Sequence, residues 1–542
     1  MIDAPRSEDL AAVARLRSAL TAASFTAAGL REYLGEPAVQ ALSRDQATPA
    51  LLALEAHRRA GTEAPVGRLI SLFVLARPVV EADLGAALEG ASVQDLVDLG
   101  LVERNQVGTV RSLVDLDLHS ADNGLELWVT ADLTSFQRPG PLRHDYVLGI
   151  GGASLTLAQI TERRPVDRAL DIGTGCGVQV FHLLSHAEHV VATDLSERAL
   201  AFTRFNLVLN APTLGLDPED LGQRVDLRHG SLLDPVKGEQ FDLVVTNPPF
   251  VITPRTAGEA DSDRYTYRDG GRPGDRLVAE LIGSLHTVMA PGATVHLLAN
   301  WEITASDPAR DWDRNVRSWV PEDLDAWVIQ REIQSPQEYA ETWLRDASEH
   351  LDREAYEASY SDYLRDFDSR AVQGVGFGYV RLERPDDARP DGERERRRRF
   401  ESLTHPVQQP VAEVLAATNQ RQDLLDRLGD RWTDLHLVVP EHVTEERHLR
   451  PGAEDPSVIL LRQGAGLQRT DVLTSATAGL VGACDGELSV AQIVTALGAL
   501  LEWEQPAPES PEGQAVLEET RHLLIDGFLV PEATSSAGGL QG

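Results

Sequence analysis

The chain has 542 residues, with 50 lysines and arginines against 85 aspartates and glutamates, so its formal net charge is −35. Nucleic-acid binding depends largely on cations that neutralise phosphates, and so acidic a surface is expected to repel long DNA or RNA. Hydrophobic residues make up 42% of the chain, without an uninterrupted apolar run of about 18 residues that could span a membrane. These values predict a soluble protein of three or four domains.

The two cysteines, Cys176 and Cys484, are too few for a disulfide framework or a metal site. The first ten residues, MIDAPRSEDL, are acidic and lack the pattern of a signal peptide. We therefore expect a cytoplasmic protein without a bound metal.

Residues 1–140 are predicted to form an N-terminal helical, winged-helix-like domain. It opens with apolar residues at helical spacing, namely Leu10, Val13, Leu16 and Leu20. The later stretch ASVQDLVDLGLVERNQVGTVRSLVDL predicts a helix that ends near Gly100, followed by two alternating strands. This stretch carries acidic side chains and few cations, the acids being Asp95, Asp98, Glu103 and Asp115. A packing or protein-recognition role is favoured over DNA binding.

The next region, 141–385, begins its regular structure with VDRALDIGTGCGVQ at residues 166–179. This pattern predicts a strand, a glycine-rich loop and a helix over residues 178–187. Glycine at every second position lets the backbone turn tightly and approach a ligand closely. The spacing is Gly-x-Gly-x-Gly, which differs from the Gly-x-Gly-x-x-Gly of dinucleotide enzymes. The candidate ligand-binding residues of the loop are Asp171, Gly173, Thr174, Gly175 and Gly177.

The second and third predicted strands place further candidates at the same edge of a parallel sheet. HVVATDLS (189–196) ends in Asp194, which can accept hydrogen bonds from both hydroxyls of a ribose. RVDLRHGS (224–231) ends in Ser231. Open α/β sheets bind ligands at the carboxyl ends of their strands. We therefore add Leu195, Ser231 and Leu232 to the predicted contacts of a nucleoside.

The fourth predicted strand leads into Asn247-Pro248-Pro249-Phe250, within FDLVVTNPPFVITP. Proline fixes φ and restricts the residue before it, so this turn is stiff and can hold the Asn247 side chain in one orientation. A planar NH2 group needs two acceptors for its hydrogens, and its flat face can stack on Phe250. Taken alone, the tetrapeptide could equally be a strand end that two prolines terminate.

The loop, the acid and the amide motif, in this order, resemble the class I S-adenosylmethionine-dependent methyltransferases. The branch with Asn-Pro-Pro-(Tyr/Phe) methylates planar amino nitrogens. NPPFVITP followed by YRDGGRPGDRLVAELI (267–282) is most similar to the HemK-type protein glutamine methyltransferases. The resemblance covers roughly residues 140–385. It implies a seven-stranded, Rossmann-like α/β domain, with S-adenosyl-L-methionine as the cofactor.

The resemblance also implies roles for single residues. Asn247, Pro248, Pro249 and Phe250 form the catalytic set, and Asn247 also contacts the cofactor. In DYVLGIGGASLTLAQI (145–160), Thr156 matches a residue over the carboxypropyl end of the cofactor. Ser154 competes for that role, and either residue could instead be an ordinary helix N-cap. Two positions depart from the family: Phe250 replaces the commoner tyrosine, and Ser231 replaces an acid near the adenine.

Three further strands complete the predicted sheet, over residues 293–303, 325–333 and 375–384, the last antiparallel at or near the edge. Between the last two, residues 336–370 are polar and aromatic. They predict an inserted pair of helices that could cover the acceptor pocket, and plain packing is the alternative role for the aromatic rings.

Residues 386–403 contain Arg394 and the run Arg396–Arg399. They are interpreted as an arginine-rich, solvated linker helix, in preference to a binding site for RNA or for an acidic partner. Residues 404–542 are predicted to form a C-terminal α+β, winged-helix-like domain, in which LLIDGFLV echoes the earlier LVDLGLVE. The tail, ATSSAGGLQG, is expected to be disordered.

Four functions remain open on the sequence. The favoured one is methylation of a protein glutamine side chain, with the flanking domains selecting the acceptor. The alternative is methylation of an exocyclic amine of a nucleic-acid base, which presents the same NH2 geometry. A regulator that only binds the cofactor and a small-molecule acceptor are less favoured. The acidic surface favours a protein over a nucleic acid as the macromolecular partner.

Overall fold

The computed structural model describes residues 3–120, 124–138, 142–255, 268–304, 311–346, 352–386, 395–507 and 509–532. Within it the chain divides into two compact units, Met1–Thr404 and His405–Gly542. The boundary near residue 140 stays a prediction. The predictions for Arg394 and for the C-terminal tail concern residues that lie outside the described ranges.

The chain before residue 132 forms helices and short antiparallel strands. The helices are α1 (Leu10–Ala22), α2 (Ala27–Leu34), α3 (Glu36–Leu42), α4 (Thr48–Ala60), α5 (Pro65–Leu69), α6 (Glu81–Ala87) and α7 (Val93–Asp98). The strands are β1 (Val79–Val80), β2 (Val102–Arg104), β3 (Thr109–Ser112), β4 (Asp115–Ser120) and β5 (Glu126–Ala131). Strands β1, β3 and β2 pair in that order, and β4 pairs with β5.

The predicted helix, glycine and hairpin of this region are all present. Ser92 and Asp95 form a capping box at the start of α7, which satisfies backbone donors that the first turn leaves free. Gly100 follows with φ of +75°, a conformation that side chains with a Cβ rarely adopt. Strands β2 and β3 then pair antiparallel. A winged helix remains the prediction for this module.

Within the described residues, the central sheet has eight strands in the order β13-β11-β12-β10-β9-β6-β7-β8. They are β6 (Val166–Ile172), β7 (Ala187–Asp194), β8 (Val225–His229), β9 (Phe241–Thr246), β10 (Met289–Ile303), β11 (Asp325–Gln334), β12 (Gly374–Glu383) and β13 (Arg398–Ser402). Strands β6 to β10 are parallel, and β12 runs antiparallel between β10 and β11. All seven predicted strands lie in this sheet, and β13 is additional.

Helices connect and cover these strands. They are α8 (Gly152–Ile160), α9 (Val178–Leu183), α10 (Glu197–Leu209), α11 (Ala211–Leu214), α12 (Arg276–Ser284), α13 (Arg314–Trp319), α14 (Pro336–Asp346) and α15 (Arg353–Ser369). Helix α9 is shorter than predicted, because Ala187 already belongs to β7. The pair α14 and α15 stands between β11 and β12, where an inserted pair of helices was expected. On the α12–α13 side of the sheet the core is closed around Trp301, which is fully buried.

Strand β13 shows that residues 398–402, the end of the predicted linker 386–403, do not form a solvated helix. Its residues pair in parallel with β11, where Arg399 lies opposite Trp327. The Arg399 guanidinium is 4.8 Å from the centre of the Trp327 ring, and the indole Nε1 of Trp327 donates to Glu401 Oε1 at 2.6 Å. Arg399 fits a strand because the Trp327 ring and the Glu401 carboxylate accept its guanidinium group.

The second unit has its own core. Its helices are α16 (Ala412–Leu428), α17 (Ser475–Gly482), α18 (Val490–Leu500) and α19 (Pro511–Asp526). Its strands are β14 (His436–Val438), β15 (Val443–His448), β16 (Val458–Gln463), β17 (Thr470–Leu473), β18 (Asp485–Ser489) and β19 (Val530–Pro531). Among the described residues of this unit, these strands form two three-stranded sheets, β18-β14-β19 and β15-β16-β17. Gly527, in the left-handed conformation, ends α19, as Gly100 does after α7. Every helix of the described chain falls short of the length and apolar character that a membrane crossing requires.

Candidate active site

A cleft of about 390 Å³ lies at the carboxyl ends of the central strands, a size within the roughly 300–1,000 Å³ of small-molecule sites. It brings together most residues that the sequence predicts for one site. Those that line it are Asp171, Gly173, Thr174, Gly175, Asp194, Leu195, Ser231, Leu232, Asn247, Pro248 and Pro249. The residues come from four separate strand ends, so the fold alone makes them neighbours.

Three predicted residues lie outside the lining of this cleft: Thr156, Gly177 and Phe250. Ser154, the competitor of Thr156, does line it, and its carbonyl oxygen accepts a hydrogen bond from Gln179 Nε2 at 2.8 Å. Gly177 allows close packing against α10, because a Cβ there would lie 3.0 Å from the Thr203 methyl group.

The glycine-rich loop is fixed to the end of β7. The backbone N–H groups of Gly173 and Thr174 both donate to the carbonyl oxygen of Thr193, at 2.8 and 3.0 Å. The N–H of Gly175 donates to Asp194 Oδ2 at 3.0 Å. A Cβ built on Gly173 or Gly175 would meet no protein atom within 4 Å. The loop therefore presents bare backbone to an open space, as close approach by a ligand requires.

Helix α10 supports this loop from behind. Thr203 Oγ1 donates to the carbonyl oxygen of Gly175 at 2.8 Å. The fully buried Asn206 donates through Nδ2 to the carbonyl oxygens of Cys176 and Thr130, both at 2.9 Å. Its Oδ1 accepts from the Thr130 N–H at 2.8 Å. One carboxamide thus ties the loop and β5 to the same helix.

Asp171 is 1% exposed, and its Oδ2 has no hydrogen-bond partner among the described residues. Burial raises the pKa of this carboxyl group to about 7, and the nearby Asp194 adds to the shift. A buried carboxylate of this kind is stabilised when a ligand brings positive charge or a hydrogen-bond donor to it. S-adenosylmethionine carries both.

Asp194 ends β7 beside the loop, and burial raises the pKa of its carboxyl group. Its Oδ2 accepts from the N–H of Gly175, and its Oδ1 accepts from the N–H of Ser196 at 2.8 Å. Each oxygen therefore uses one lone pair on the backbone and keeps another. Two acceptors on one rigid carboxylate suit the two adjacent hydroxyls of a ribose.

Asn247 follows β9, whose last residue, Thr246, is anchored by a 2.8 Å hydrogen bond from its Oγ1 to the carbonyl oxygen of Ile172. Asn247 Oδ1 is buried and lacks a hydrogen-bond partner within the described part of the chain. A buried acceptor without a partner costs free energy, and a hydrogen-bond donor from a ligand would remove that cost. An amino group in the cleft would supply one.

A second wall of the cleft comes from Asp269, Gly270 and Gly271. Phe250 and Asp269 form an isolated antiparallel bridge, next to a 2.8 Å hydrogen bond from the Val251 N–H to the Arg268 carbonyl. This bridge holds the segment after residue 267 against the Asn-Pro-Pro-Phe turn. The sequence pointed to this segment only through the resemblance, and no spacing rule singled out its three residues.

Phe250 itself contacts the inserted helices. Its ring packs edge-on against Trp343 of α14, with the ring centres 6.4 Å apart. The Tyr339 hydroxyl, also on α14, accepts a hydrogen bond from the Ile252 N–H at 2.8 Å. Helix α14 is therefore attached to the turn that carries Asn247.

Sequence reasoning missed Tyr146 and Gln179 as lining residues of the cleft. Tyr146 is 6% exposed, and burial raises the pKa of its hydroxyl. It lies in the segment before α8, where no motif distinguishes one apolar residue from the next. Gln179 lies one residue inside α9 and could have been found only from the direction of that helix.

Two family models match parts of the chain. Residues 149–261 match the methyltransferase small domain, and residues 22–113 match a domain of unknown function, DUF7059. The first match contains the glycine-rich loop, Asp194 and Asn247. The second covers the chain from the end of α1 to the end of β3 and assigns it no activity.

Among curated proteins, a release factor glutamine methyltransferase of Geobacter sulfurreducens is 34% identical over 146 residues, which is 22% of this chain and 47% of the relative. Ribosomal RNA large subunit methyltransferase F of Dechloromonas aromatica is 34% identical over 127 residues, which is 21% of this chain and 34% of the relative. The chain thus covers less than half the length of either relative.

Among solved structures, N-methyltransferase NodS of Bradyrhizobium japonicum aligns at 14% identity over 43% of this chain and 85% of its own, with a TM-score of 0.23. A TM-score this low does not establish a similar fold. The fold of this chain is shown by the strand order described above. The glycine-rich loop, Asp194 and Asn247 lie at the same edge of the sheet, and all of them fall within the residues that match the family. Residues 149–261 of this chain therefore lie in a methyltransferase domain of the type that uses S-adenosylmethionine.

Proposed function

We propose that this protein is an N-methyltransferase that transfers a methyl group from S-adenosylmethionine to a planar amino nitrogen, foremost the side-chain amide of a protein glutamine. The observation that carries the proposal is Asn247 Oδ1, which is buried at the cleft and has no partner among the described residues. Such an acceptor suits an N–H donor that arrives with the substrate.

The residues of the cleft fit the cofactor. The loop at Gly173 and Gly175 would lie along its amino-acid part, Asp194 would hold the ribose hydroxyls, and Asp171 would face positive charge. When bound, S-adenosylmethionine supplies a methyl group that its sulfonium already activates. The protein therefore has no need of a strong electrophile of its own.

The remaining task is to make a weak nucleophile react. The lone pair of an amide nitrogen is delocalised into the carbonyl group. Asn247 Oδ1 would accept one N–H, and a carbonyl of the Asn-Pro turn would accept the other, which orients the nitrogen and favours a pyramidal geometry. Each such hydrogen bond contributes about 1–3 kcal/mol where its loss leaves a buried partner unpaired. Prolines 248 and 249 keep the two acceptors in place.

A protein acceptor is favoured over a nucleic acid on two grounds. The net charge of −35 opposes the approach of polyanions, and the first relative above is named for a glutamine of a release factor. The second candidate is an exocyclic amine of a nucleic-acid base, which the ribosomal RNA relative supports. We further propose that the winged-helix-like regions on either side of the methyltransferase domain select the acceptor.

The test is transfer of a labelled methyl group from S-adenosylmethionine into a cell extract by the purified full-length protein. Protease treatment of the labelled products should remove the signal from the macromolecular fraction, and nuclease treatment should leave it. Mass spectrometry should then locate the label on a glutamine side chain. Loss of the label to nuclease would establish the second candidate, and an absence of labelling in every extract would overturn both.

A further inference from the structure

A second cavity, also of about 390 Å³, lies in the first unit between the N-terminal elements and α10. Its wall is rich in one residue type. The arginines that line it are Arg77, Arg111, Arg138, Arg143 and Arg198. Tyr146 lines both this cavity and the cofactor cleft, so the two are neighbours. Nothing in the methyl-transfer proposal uses this space.

Two acidic residues, Asp3 and Asp132, also line the cavity, and both are already engaged. Asp132 is 5% exposed and forms an ion pair through both of its oxygens with Arg198, which is 7% exposed. Asp3 pairs with Arg143. The described lining thus includes five arginines against two aspartates, and the formal charge of its residues is positive.

Arg77 and Arg138 carry the surplus charge. Both have exposed side chains, and within the described ranges neither enters an ion pair. Arg111 is paired outside the lining, with Glu103. Arg77 and Arg138 are therefore available to a ligand at this cavity, in a chain that carries 85 acidic residues. A bound anion would neutralise the two arginines.

We propose that this cavity is a binding site for a small phosphate-bearing anion, of the class of pyrophosphate or a nucleoside diphosphate. The planar guanidinium fork matches phosphate oxygens in a bidentate geometry. A phosphate ester brings about two negative charges on one compact group at neutral pH, whereas a carboxylate brings one. Two unpaired arginines facing one cavity therefore suit phosphate better.

The size and charge of the molecule favour a small ligand over a polymer. The cavity volume lies within the roughly 300–1,000 Å³ of small-molecule sites. The rest of the acidic surface opposes a long polyanion, but a diphosphate can enter a local positive site. The site shares only Tyr146 with the cofactor cleft, so it can be occupied whether or not the chain transfers methyl groups.

The probe is inorganic pyrophosphate, titrated calorimetrically into the full-length protein. The wild-type chain should bind it saturably at one site. The double variant Arg77→Gln/Arg138→Gln should bind it at least about tenfold more weakly, since charge-assisted hydrogen bonds are lost. The matched control, Arg58→Gln/Arg59→Gln on α4, removes the same charge away from the cavity and should bind as the wild type does.

Three results would overturn the proposal: no saturable binding by the wild-type protein, equal weakening in both double variants, or binding of malonate as tight as that of pyrophosphate. The first would leave no site, the second would reduce it to general electrostatics, and the third would remove the preference for phosphate. Binding of S-adenosylhomocysteine by each variant reports that it is folded. That binding also separates failure of this site from failure of the proposed methyl transfer.

Discussion

At the scale of single residues, the cleft combines polar atoms that the fold buries without a protein partner. Asn247 Oδ1 and Asp171 Oδ2 both have this character within the described chain. Unpaired buried acceptors each cost about 1–3 kcal/mol. Their presence at one cleft is more readily explained by ligand binding than by folding, because the fold gains nothing from leaving them unpaired.

Replacing Asn247 by alanine should abolish turnover and leave cofactor affinity near that of the wild type. The substitution removes an acceptor of the amino nitrogen, whereas Asp194 and the glycine-rich loop stay in place. Equilibrium binding of S-adenosylmethionine and single-turnover labelling of the acceptor measure the two effects separately. A variant that turns over at nearly the wild-type rate would show that the Asn247 carboxamide has no part in the reaction.

Asp171 should make stability depend on pH. Its folded-state pKa of about 7 lies above the ordinary value of 3.8, so the folded protein keeps this proton where the unfolded chain releases it. Stability from this group is therefore full below about pH 4 and is lost as pH rises to about 7. Relative to an Asp171→Asn variant, the free energy of unfolding of the wild type should fall by up to about 4 kcal/mol between pH 4 and pH 7.

Urea unfolding without cofactor, at steps from pH 4 to pH 8, measures this difference. Asp167→Asn is the matched control, since Asp167 lies on the same strand, β6, with an exposed side chain. The control should follow the wild-type profile. Parallel profiles for Asp171→Asn and the wild type would mean that the Asp171 carboxyl group titrates normally.

Much of the cleft could be predicted from the sequence because its residues stand at the ends of apolar strands. Asp171, Asp194 and Asn247 each follow such a run, and parallel strands bring their ends to one edge. The choice between Ser154 and Thr156 could not be made in this way. It depends on the residue at which α8 begins and on which face of α8 points toward the cleft. The sequence around Gly151 and Gly152 does not determine either.

At the scale of elements, α10 connects the glycine-rich loop with the N-terminal hairpin β4–β5. Asn206 bonds both Thr130 and Cys176. One turn later, Asn210 accepts from the Trp128 N–H at 2.9 Å and donates to the Trp128 carbonyl at 2.7 Å. Both asparagines are fully buried. They satisfy backbone groups of β5 that would otherwise lack partners.

This arrangement predicts different effects for two similar substitutions. Asn206→Ala and Asn210→Ala should each destabilise the protein by about 2–4 kcal/mol, because buried backbone groups lose their partners. Asn206→Ala should in addition weaken binding of S-adenosylmethionine, since the Cys176 carbonyl is released. Urea unfolding and cofactor titration measure the two properties. Equal cofactor affinity in both variants would show that the Asn206 carboxamide does not contribute to cofactor binding through the loop.

Strand β13 shows where prediction of elements fails. Apolar runs identify β6, β9 and β10 because buried strands are hydrophobic on both faces. Residues 396–399 are all arginines, and a run of like charges ordinarily indicates a solvated segment. They join a strand because of the neighbouring β11: its Trp327 ring lies against the Arg399 guanidinium, and its Asp325 accepts a hydrogen bond from the backbone N–H of Arg397. That partner is more than 60 residues away and has no local signature.

At the scale of the whole molecule, the division after Thr404 predicts that the first unit folds alone. A chain that ends at Thr404 should fold and bind S-adenosylmethionine. A chain that ends at residue 385 should be less stable by about 2–5 kcal/mol, because the backbone hydrogen bonds of β13 are worth about 1 kcal/mol each. Thermal and urea unfolding of both chains checks this. Equal stability would place the boundary near residue 385 after all.

The net charge makes a prediction for the entire chain. A duplex DNA or RNA of random sequence should bind with a Kd weaker than about 10⁻⁴ M at low salt, since few cations are available to release counterions. Fluorescence anisotropy across a range of salt concentrations measures this. Micromolar affinity with a steep loss in salt would reveal a cationic track and favour the nucleic-acid candidate.

The asparagines of α10 also limit how this protein can be recombined. A chimera that joins its first 131 residues to a foreign methyltransferase would present β5 to a helix without the matching carboxamides. The graft would then bury peptide groups of β5 without hydrogen-bond partners. Any transplant of the front of this chain must therefore carry α10 with it, even though more than 60 residues separate the helix from that hairpin.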